Sequence, residues 1–229
     1  MVNFIAKDSA FKILGEKRFL SPERIISAWD GIIKQHRTDH NIKLLERPHR
    51  KLKIRFPEDV IKQTIKKDRS WYLVYDPGFS LRNIQAIFGS NHGHQPRQYP
   101  GNDWWFSSGN PWTEKKEEPN YYFVKLETIL SGKSWKAQEE EILKNKLFYR
   151  VPSRLIISIQ ISYFLLYGSY IAGHSHHWGP ELDSHGKVGC VSNVGSNGFI
   201  LYNWNCDLPD EGEGIGVFIA HKFEVEWHE

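Results

Sequence analysis

The sequence predicts an α+β fold, with helices packed on a small, mostly antiparallel twisted sheet and joined by long ordered loops. Three observations carry this. Proline-led and hydroxyl-capped helical segments come first, glycine-separated β-rich segments come last, and most of the nine tryptophans sit near Gly, Asn and Ser instead of in periodic runs. Helices followed by a mixed centre and a β-rich end argue α+β, and large rings suit irregular segments that need pinning. With 229 residues, 40% of them hydrophobic and 14% aromatic, the chain can fill one complete core. Residues 1–70 read as a helical, basic extension packed on the main body, and residues 71–229 as the main domain.

Ser21-Pro22-Glu23 marks the first helix start, with a hydroxyl N-cap, proline at the first helical position and a carboxylate in the first turn. Ile25, Ile26, Trp29, Ile32 and Ile33 then recur at helical spacing and predict one apolar face as far as about His36. Leu52, Ile54 and Phe56 alternate as a short strand, and Pro57 opens a helix to about Lys67. Trp71 to Tyr75 reads as a strand that Asp76-Pro77-Gly78 ends with turn chemistry. A short helix, Ser80 to Phe88, follows.

Gly89 to Pro119 shows little periodicity, and its Trp104, Trp105, Phe106 and Trp112 argue for an ordered loop rather than disorder. Tyr121 to Leu126 reads as a strand. Ser134 caps a helix to about Asn145, with Trp135, Ile142 and Leu143 toward the core and Glu139 to Glu141 toward water. Pro152 opens a long buried helix through about Ile171. Three short strands close the chain: Lys187 to Asn193, Phe199 to Trp204 and Ile215 to Val225.

Met1 to Leu20 alternates charged and apolar residues, lacks the apolar core of a signal peptide, and so speaks against Sec export, leaving cytoplasmic synthesis as the default and virion or surface display open. The run Leu155 to Ala172 is interrupted by Ser158, Gln160, Ser162, Gly168 and Ser169, which fits a helix buried in protein rather than one inserted in a membrane. Cys190 and Cys206 alone make no disulfide framework; one hairpin bridge or two partly buried thiols are the alternatives.

The net charge of +3 hides an asymmetry. Met1 to Ser70 carries 17 Lys/Arg against nine Asp/Glu, whereas Glu181 to Glu229 has only Lys187 and Lys222 against nine carboxylates. Arg47, Arg50, Lys51, Lys53 and Arg55 could contact nucleic acid, yet Glu46, Glu58 and Asp59 are interspersed and favour a solvated helical face.

His174, His176 and His177, with Asp183 or His185, form the densest set of metal-ligand types and define an alternative reading as a metal-dependent enzyme. Their spacing matches neither a helical i, i+4 pair nor a zinc finger, and histidines in a loop after a helix more often sit in solvent or against tryptophan. His92-Gly-His94 carries less still. Neither cysteine belongs to a recognisable nucleophile motif, and no G-x-S-x-G is present. Gly212, Gly214 and Gly216 are not followed by a basic residue on a strand-loop-helix, and Glu211 and Glu213 would repel phosphate. Asp207, Asp210, Glu211 and Glu213 are oxygen ligands suited to calcium, but without EF-hand spacing a solvated acidic loop is favoured.

The stretch Gly186 to Lys222 stands apart. Gly198 leads to Trp204 flanked by Asn203 and Asn205, a polar loop follows, and Gly214-Ile215-Gly216-Val217 begins a strand near the end of the chain. This resembles the C-terminal ends of the variable proteins of diversity-generating retroelements of bacteria, archaea and their viruses, which carry a C-type lectin fold related to formylglycine-generating enzyme. Upstream, Trp135 to Glu141 and the Pro152-led helix are similar to the scaffold portion of such proteins, so the resemblance covers about Asn120 to Phe223.

The resemblance implies a receptor-type protein without enzymatic activity or cofactor, in which template-directed adenine mutagenesis diversifies an exposed surface. Gly198, Trp204, Gly214, Ile215, Gly216 and Val217 would be scaffold. Ser192, Val194, Ser196, Asn197, Tyr202, Asn203, Asn205, Cys206, Leu208, Asp210 and Glu211 would face a protein or cell-surface ligand. Such positions tolerate change because exposed substitutions cost little stability, and Tyr and Asn make adaptable contacts. Ordinary β-hairpins also use Gly, Asn and Trp in this way, so a plain β-rich terminus is the competing reading.

Overall fold

The computed structural model describes residues 3–35, 52–88, 96, 110–171, 175–183, 185–193, 198–204 and 214–222. Its architecture is α+β. The described helices are α1 (Lys7–Leu14), α2 (Pro22–Gln35), α3 (Glu58–Lys67), α4 (Leu81–Phe88), α5 (Trp135–Leu143) and α6 (Ser153–Tyr167). The strands are β1 (Phe19–Leu20), β2 (Trp71–Asp76), β3 (Asn120–Ile129), β4 (Phe148–Arg150), β5 (His176–Leu182), β6 (Val188–Asn193), β7 (Phe199–Trp204) and β8 (Val217–His221). They form a five-stranded sheet in the order β1-β2-β3-β8-β4 and a three-stranded sheet in the order β5-β6-β7. Every pairing is antiparallel except β1 with β2.

Helix α6 packs against α2, β2, β5 and β6 and so ties the two sheets together. Every residue from Ser153 to Ser162 is buried, which is why the run is apolar almost all round. Each polar residue of that run has a specific partner. The Ser162 hydroxyl accepts from Trp29 Nε1 at 2.9 Å, and Gln160 Oε1 accepts from the Ile171 amide at 3.1 Å. Asp76 accepts from Arg154 at 2.6 Å and from the Ser158 hydroxyl at 2.7 Å, while Arg154 also donates to the Phe79 carbonyl. Buried polar groups that are satisfied in this way specify one packing arrangement instead of a greasy one. No described helix is long and apolar enough to cross a membrane.

Helix α6 ends at Tyr167, four residues before the expected Ile171. Gly168 takes the left-handed conformation (φ 72°) and its amide bonds the Phe164 carbonyl, a geometry that stops a helix and that glycine adopts without a Cβ penalty. Helix α5 begins as expected, with the Ser134 hydroxyl accepting from the Ala137 amide. Its inward face differs. Gln138 is fully buried beside Ile142, and Leu143 is 58% exposed because it lies one helical step beyond that stripe.

The segment Leu52, Ile54, Phe56 alternates in burial as its pattern predicts, but it is no strand. It meets the N-terminal residues through the Ile5 amide on the Phe56 carbonyl, a Phe4–Pro57 bridge and the Glu58 amide on the Asn3 carbonyl, where α3 starts. The described part of residues 1–70 is more than an extension. β1 is a strand of the main sheet, and Phe19, Leu20, Ile25 and Trp29 belong to the same core as Phe123, Ile156 and Phe218.

Candidate binding surface in the C-terminal segment

The segment from Gly186 to Lys222 builds β6, β7 and β8. β6 and β7 pair in uninterrupted register from Val188–Trp204 to Asn193–Phe199, and β8 leaves the small sheet to lie between β3 and β4 of the large one. The join between the sheets is Ile215-Gly216. The Trp178 amide donates to the Gly216 carbonyl and the Gly216 amide to the His176 carbonyl, both at 3.0 Å. From the other side, buried Gln138 donates through one amide nitrogen to the carbonyls of Leu130, Lys133 and Ile215, and its oxygen accepts from Arg150 at 3.0 Å. Arg150 is itself held by Glu139 at 3.0 Å and lies over the Trp135 ring.

A second small core forms where these groups meet. Trp178, Val188, Cys190 and Ile215 are buried together, with Trp135 packed against them and donating from Nε1 to the Gly179 carbonyl. The expected scaffold residues Gly198, Ile215, Gly216 and Val217 are all buried, whereas Gly214 is exposed with φ 65° at the entry to the join. At the base of α6, Glu181 of β5 accepts from the amide and the hydroxyl of Ser153. Burial raises the Glu181 pKa against the lowering effect of those donors.

The histidine cluster comes apart in the structure. His176 and His177 are consecutive on β5, not in a loop, so their side chains leave opposite faces of the strand. His177 is 1% exposed, its ring stacked on Phe218 with centroids 3.7 Å apart. Its Nε2 meets the hydroxyls of Thr128 at 2.9 Å and Ser175 at 3.3 Å. Burial, with His176 as a smaller contribution, holds its pKa down at about 3, so the ring is neutral and structural. Asp183 is a turn residue: its Oδ1 accepts from the amides of His185 and Lys187, both at 2.8 Å, and its own amide bonds the Lys187 carbonyl. The His185 side chain is 75% exposed and 4.0 Å from Asp183. No group of three metal-ligating side chains converges among the described residues. His174 lies outside them, as do His92, His94 and the acidic residues Asp207, Asp210, Glu211 and Glu213.

Among the expected display positions, Ser192 is corrected. It is 1% exposed within the centre strand of the small sheet, where both faces are covered, and its hydroxyl has no hydrogen-bond partner among the described residues. Tyr202 and Asn203 lie on β7, an edge strand, opposite Cys190 and Gly189. Val194, Ser196 and Asn197 fall in the β6–β7 connection, and Asn205, Cys206, Leu208, Asp210 and Glu211 in the β7–β8 connection, outside the described residues. Trp204 ends β7 opposite Val188.

No family model, curated protein or solved structure matches this chain.

Among the described residues, three basic N-terminal side chains are paired with carboxylates. Lys7 pairs with Glu23, Arg24 with Glu16 and Lys62 with Glu58, all at or below 3.1 Å. Lys53 and Arg55 are exposed on the extended segment before α3, and Arg47, Arg50 and Lys51 lie outside the described residues. Sequence reasoning missed Gln138, Arg150, Glu181 and His177 as the groups that hold the C-terminal segment. Only Gln138 left a trace, a polar residue one turn before Ile142 on a helix whose cap was plain.

Proposed function

We propose that this chain is a ligand-binding protein that displays a diversified C-terminal surface on a C-type-lectin-like scaffold, the variable protein of a diversity-generating retroelement. The observation that carries the proposal is the join at Ile215-Gly216, bonded to β5 on one side and to Gln138 on the other. It fixes the far end of the β7–β8 connection, and the pairing of Trp204 with Val188 fixes the near end, independently of what that connection contains. The β6–β7 connection is likewise bounded by six paired positions. Residues between fixed ends can change without loss of the hydrophobic core, which is the physical requirement of a surface that is rewritten.

Its partner is a protein or cell-surface ligand, contacted through Val194 to Asn197, Tyr202, Asn203 and Asn205 to Glu211; Ser192 is withdrawn from the surface because it is buried. No chemical step and no cofactor is required. The test is a library randomised at Val194 to Asn197 and Asn205 to Glu211, displayed and selected against unrelated proteins. Folded members that bind different targets are expected, and a library in which most members fail to fold would overturn the proposal.

A further inference from the structure

Two helix–strand units at the edge of the large sheet share one polarity. α1 leads through residues 15–18 into β1, α3 leads through residues 68–70 into β2, and β1 and β2 run parallel. The starts of the two helices are tied together, the Ile5 amide on the Phe56 carbonyl and the Glu58 amide on the Asn3 carbonyl. Both helices therefore end at the rim of the sheet where β1 and β2 begin. α6 ends there as well: its Ser158 meets Asp76 at the far end of β2, and its Tyr167 hydroxyl donates to the Glu16 carbonyl at 2.9 Å.

Charge is sorted along the same direction. Asp8, Glu58 and Asp59 stand in the first turns of α1 and α3, and Lys12, Lys66 and Lys67 in the last. Lys17, Arg18 and Arg69 follow in the two connections. None of these six cations makes an ion pair among the described residues, because the rim carboxylates are held by other partners, Glu16 by Arg24 at 3.1 Å and Asp68 by Lys125 at 2.8 Å. Arg18 donates from Nε to the Leu14 carbonyl at 3.0 Å, while its Nη1 has no hydrogen-bond partner among the described residues. The other five side chains are exposed. The C-terminal dipoles of α1 and α3 bring about half a negative charge each, far less than the cations present.

Aromatic rings lie beside this charge. Arg18 and Tyr72 each precede the Phe19–Leu73 pair by one residue, so their side chains leave the same face of the sheet. Over that face α6 places Tyr163 and Tyr167, and the Tyr72 phenol interacts electrostatically with both and with Arg18. All three rings are partly exposed.

We infer that this rim binds single-stranded nucleic acid, with phosphates along Lys66, Lys67, Arg69, Lys17 and Arg18 and bases against Tyr72 and Tyr163. Unpaired cations supply the attraction to phosphate, and rings open to solvent supply sequence-tolerant stacking. An anionic bilayer would answer the cations and leave the rings unused.

The test is fluorescence anisotropy of the intact chain with a labelled oligouridylate of about 16 nucleotides over a salt series. Binding should weaken steeply, with a log–log slope of about −3 to −4 for five or six neutralised phosphates. Lys66→Gln with Lys67→Gln changes exposed, unpaired side chains, so the thermal midpoint should hold while the slope falls in magnitude by about 1. Lys115→Gln with Lys116→Gln removes the same charge ahead of β3, at the Asp76 end of the sheet, and should leave the slope nearly unchanged. Tyr163→Leu should weaken binding about fivefold without altering the slope. No binding at about 20 mM salt, equal effects of the two lysine pairs, or binding to phosphatidylserine vesicles but not to the oligonucleotide would overturn the inference.

Discussion

Gly216→Ala is expected to lower the thermal midpoint by about 6–12 °C, a loss of roughly 3 kcal/mol or more. A Cβ at position 216 would run into the Thr128 side chain and come 2.8 Å from the backbone oxygen of Ile129, a distance that real Cβ atoms essentially never show. The side chain could rotate away. The backbone cannot, because Ile129 is paired with Val217 in the sheet, and the Gly216 amide and carbonyl are both bonded to β5. Moving one strand therefore strains the other sheet. Gly186→Ala is the control. Its Cβ would enter open space, so only the positive φ of 73° is penalised, and about 1 kcal/mol is expected. Thermal unfolding of both variants checks the ranking, and an unchanged midpoint for Gly216→Ala would show that the join is not rigid.

His177 should make the protein lose stability in mild acid. The imidazole's pKa is held at about 3 in the folded chain against an ordinary value near 6.5. Between those values the unfolded chain binds the extra proton and the folded chain does not, so stability rises with pH across that window and is complete above it. The contribution lost on going from pH 6.5 to 3 is about 4 kcal/mol. His221, which burial also pushes down, acts in the same direction. His177→Phe keeps a ring on Phe218 but nothing to titrate, at the cost of about 1 kcal/mol for the Thr128 contact. Denaturant unfolding from pH 7 to 4 should give a shallower acid slope for the variant than for the parent; parallel curves would mean that His177 is not the group responsible.

What the sequence revealed followed from local physics. The Ser-Pro-Glu start of α2, the Pro57 start of α3 and the Ser134 cap of α5 are signals written within one turn of chain. β2, β3 and β7 carry enough aromatic and branched residues to read as strands alone. The missed elements depend on partners instead. β1 has two residues and β4 three, too few for any period, and they are strands only because β2 and β8 lie beside them. β5 was obscured by Gly179 and Pro180, which usually mark turns. It tolerates them as an edge strand whose pairing with β6 breaks register between Trp178 and Leu182.

The same distinction separates the parts of the candidate site. Gly214 to Val217 was legible because a glycine-flanked branched pair next to the last strand is a local pattern. Ser192 was misassigned because the resemblance placed it on the display surface, and no local signal in the sequence shows that its strand lies at the centre of a sheet where it is buried. His177 was grouped with its neighbours by spacing, although two consecutive residues on a strand point apart. The polar hub of Gln138 and Arg150 joins residues from four separate stretches of chain, and no single stretch announces it.

The most direct test of diversification is sequencing of the 3′ end of this gene across its natural population. Codons for Val194 to Asn197, Tyr202, Asn203 and Asn205 to Glu211 should differ between members at template adenines, with an adenine-rich near-copy of the segment close to the gene. Codons for Val188 to Val191 and Ile215 to Val217 should be constant. An invariant 3′ end, or variation spread evenly through the buried join, would contradict a diversified binding surface and leave an ordinary β-rich domain.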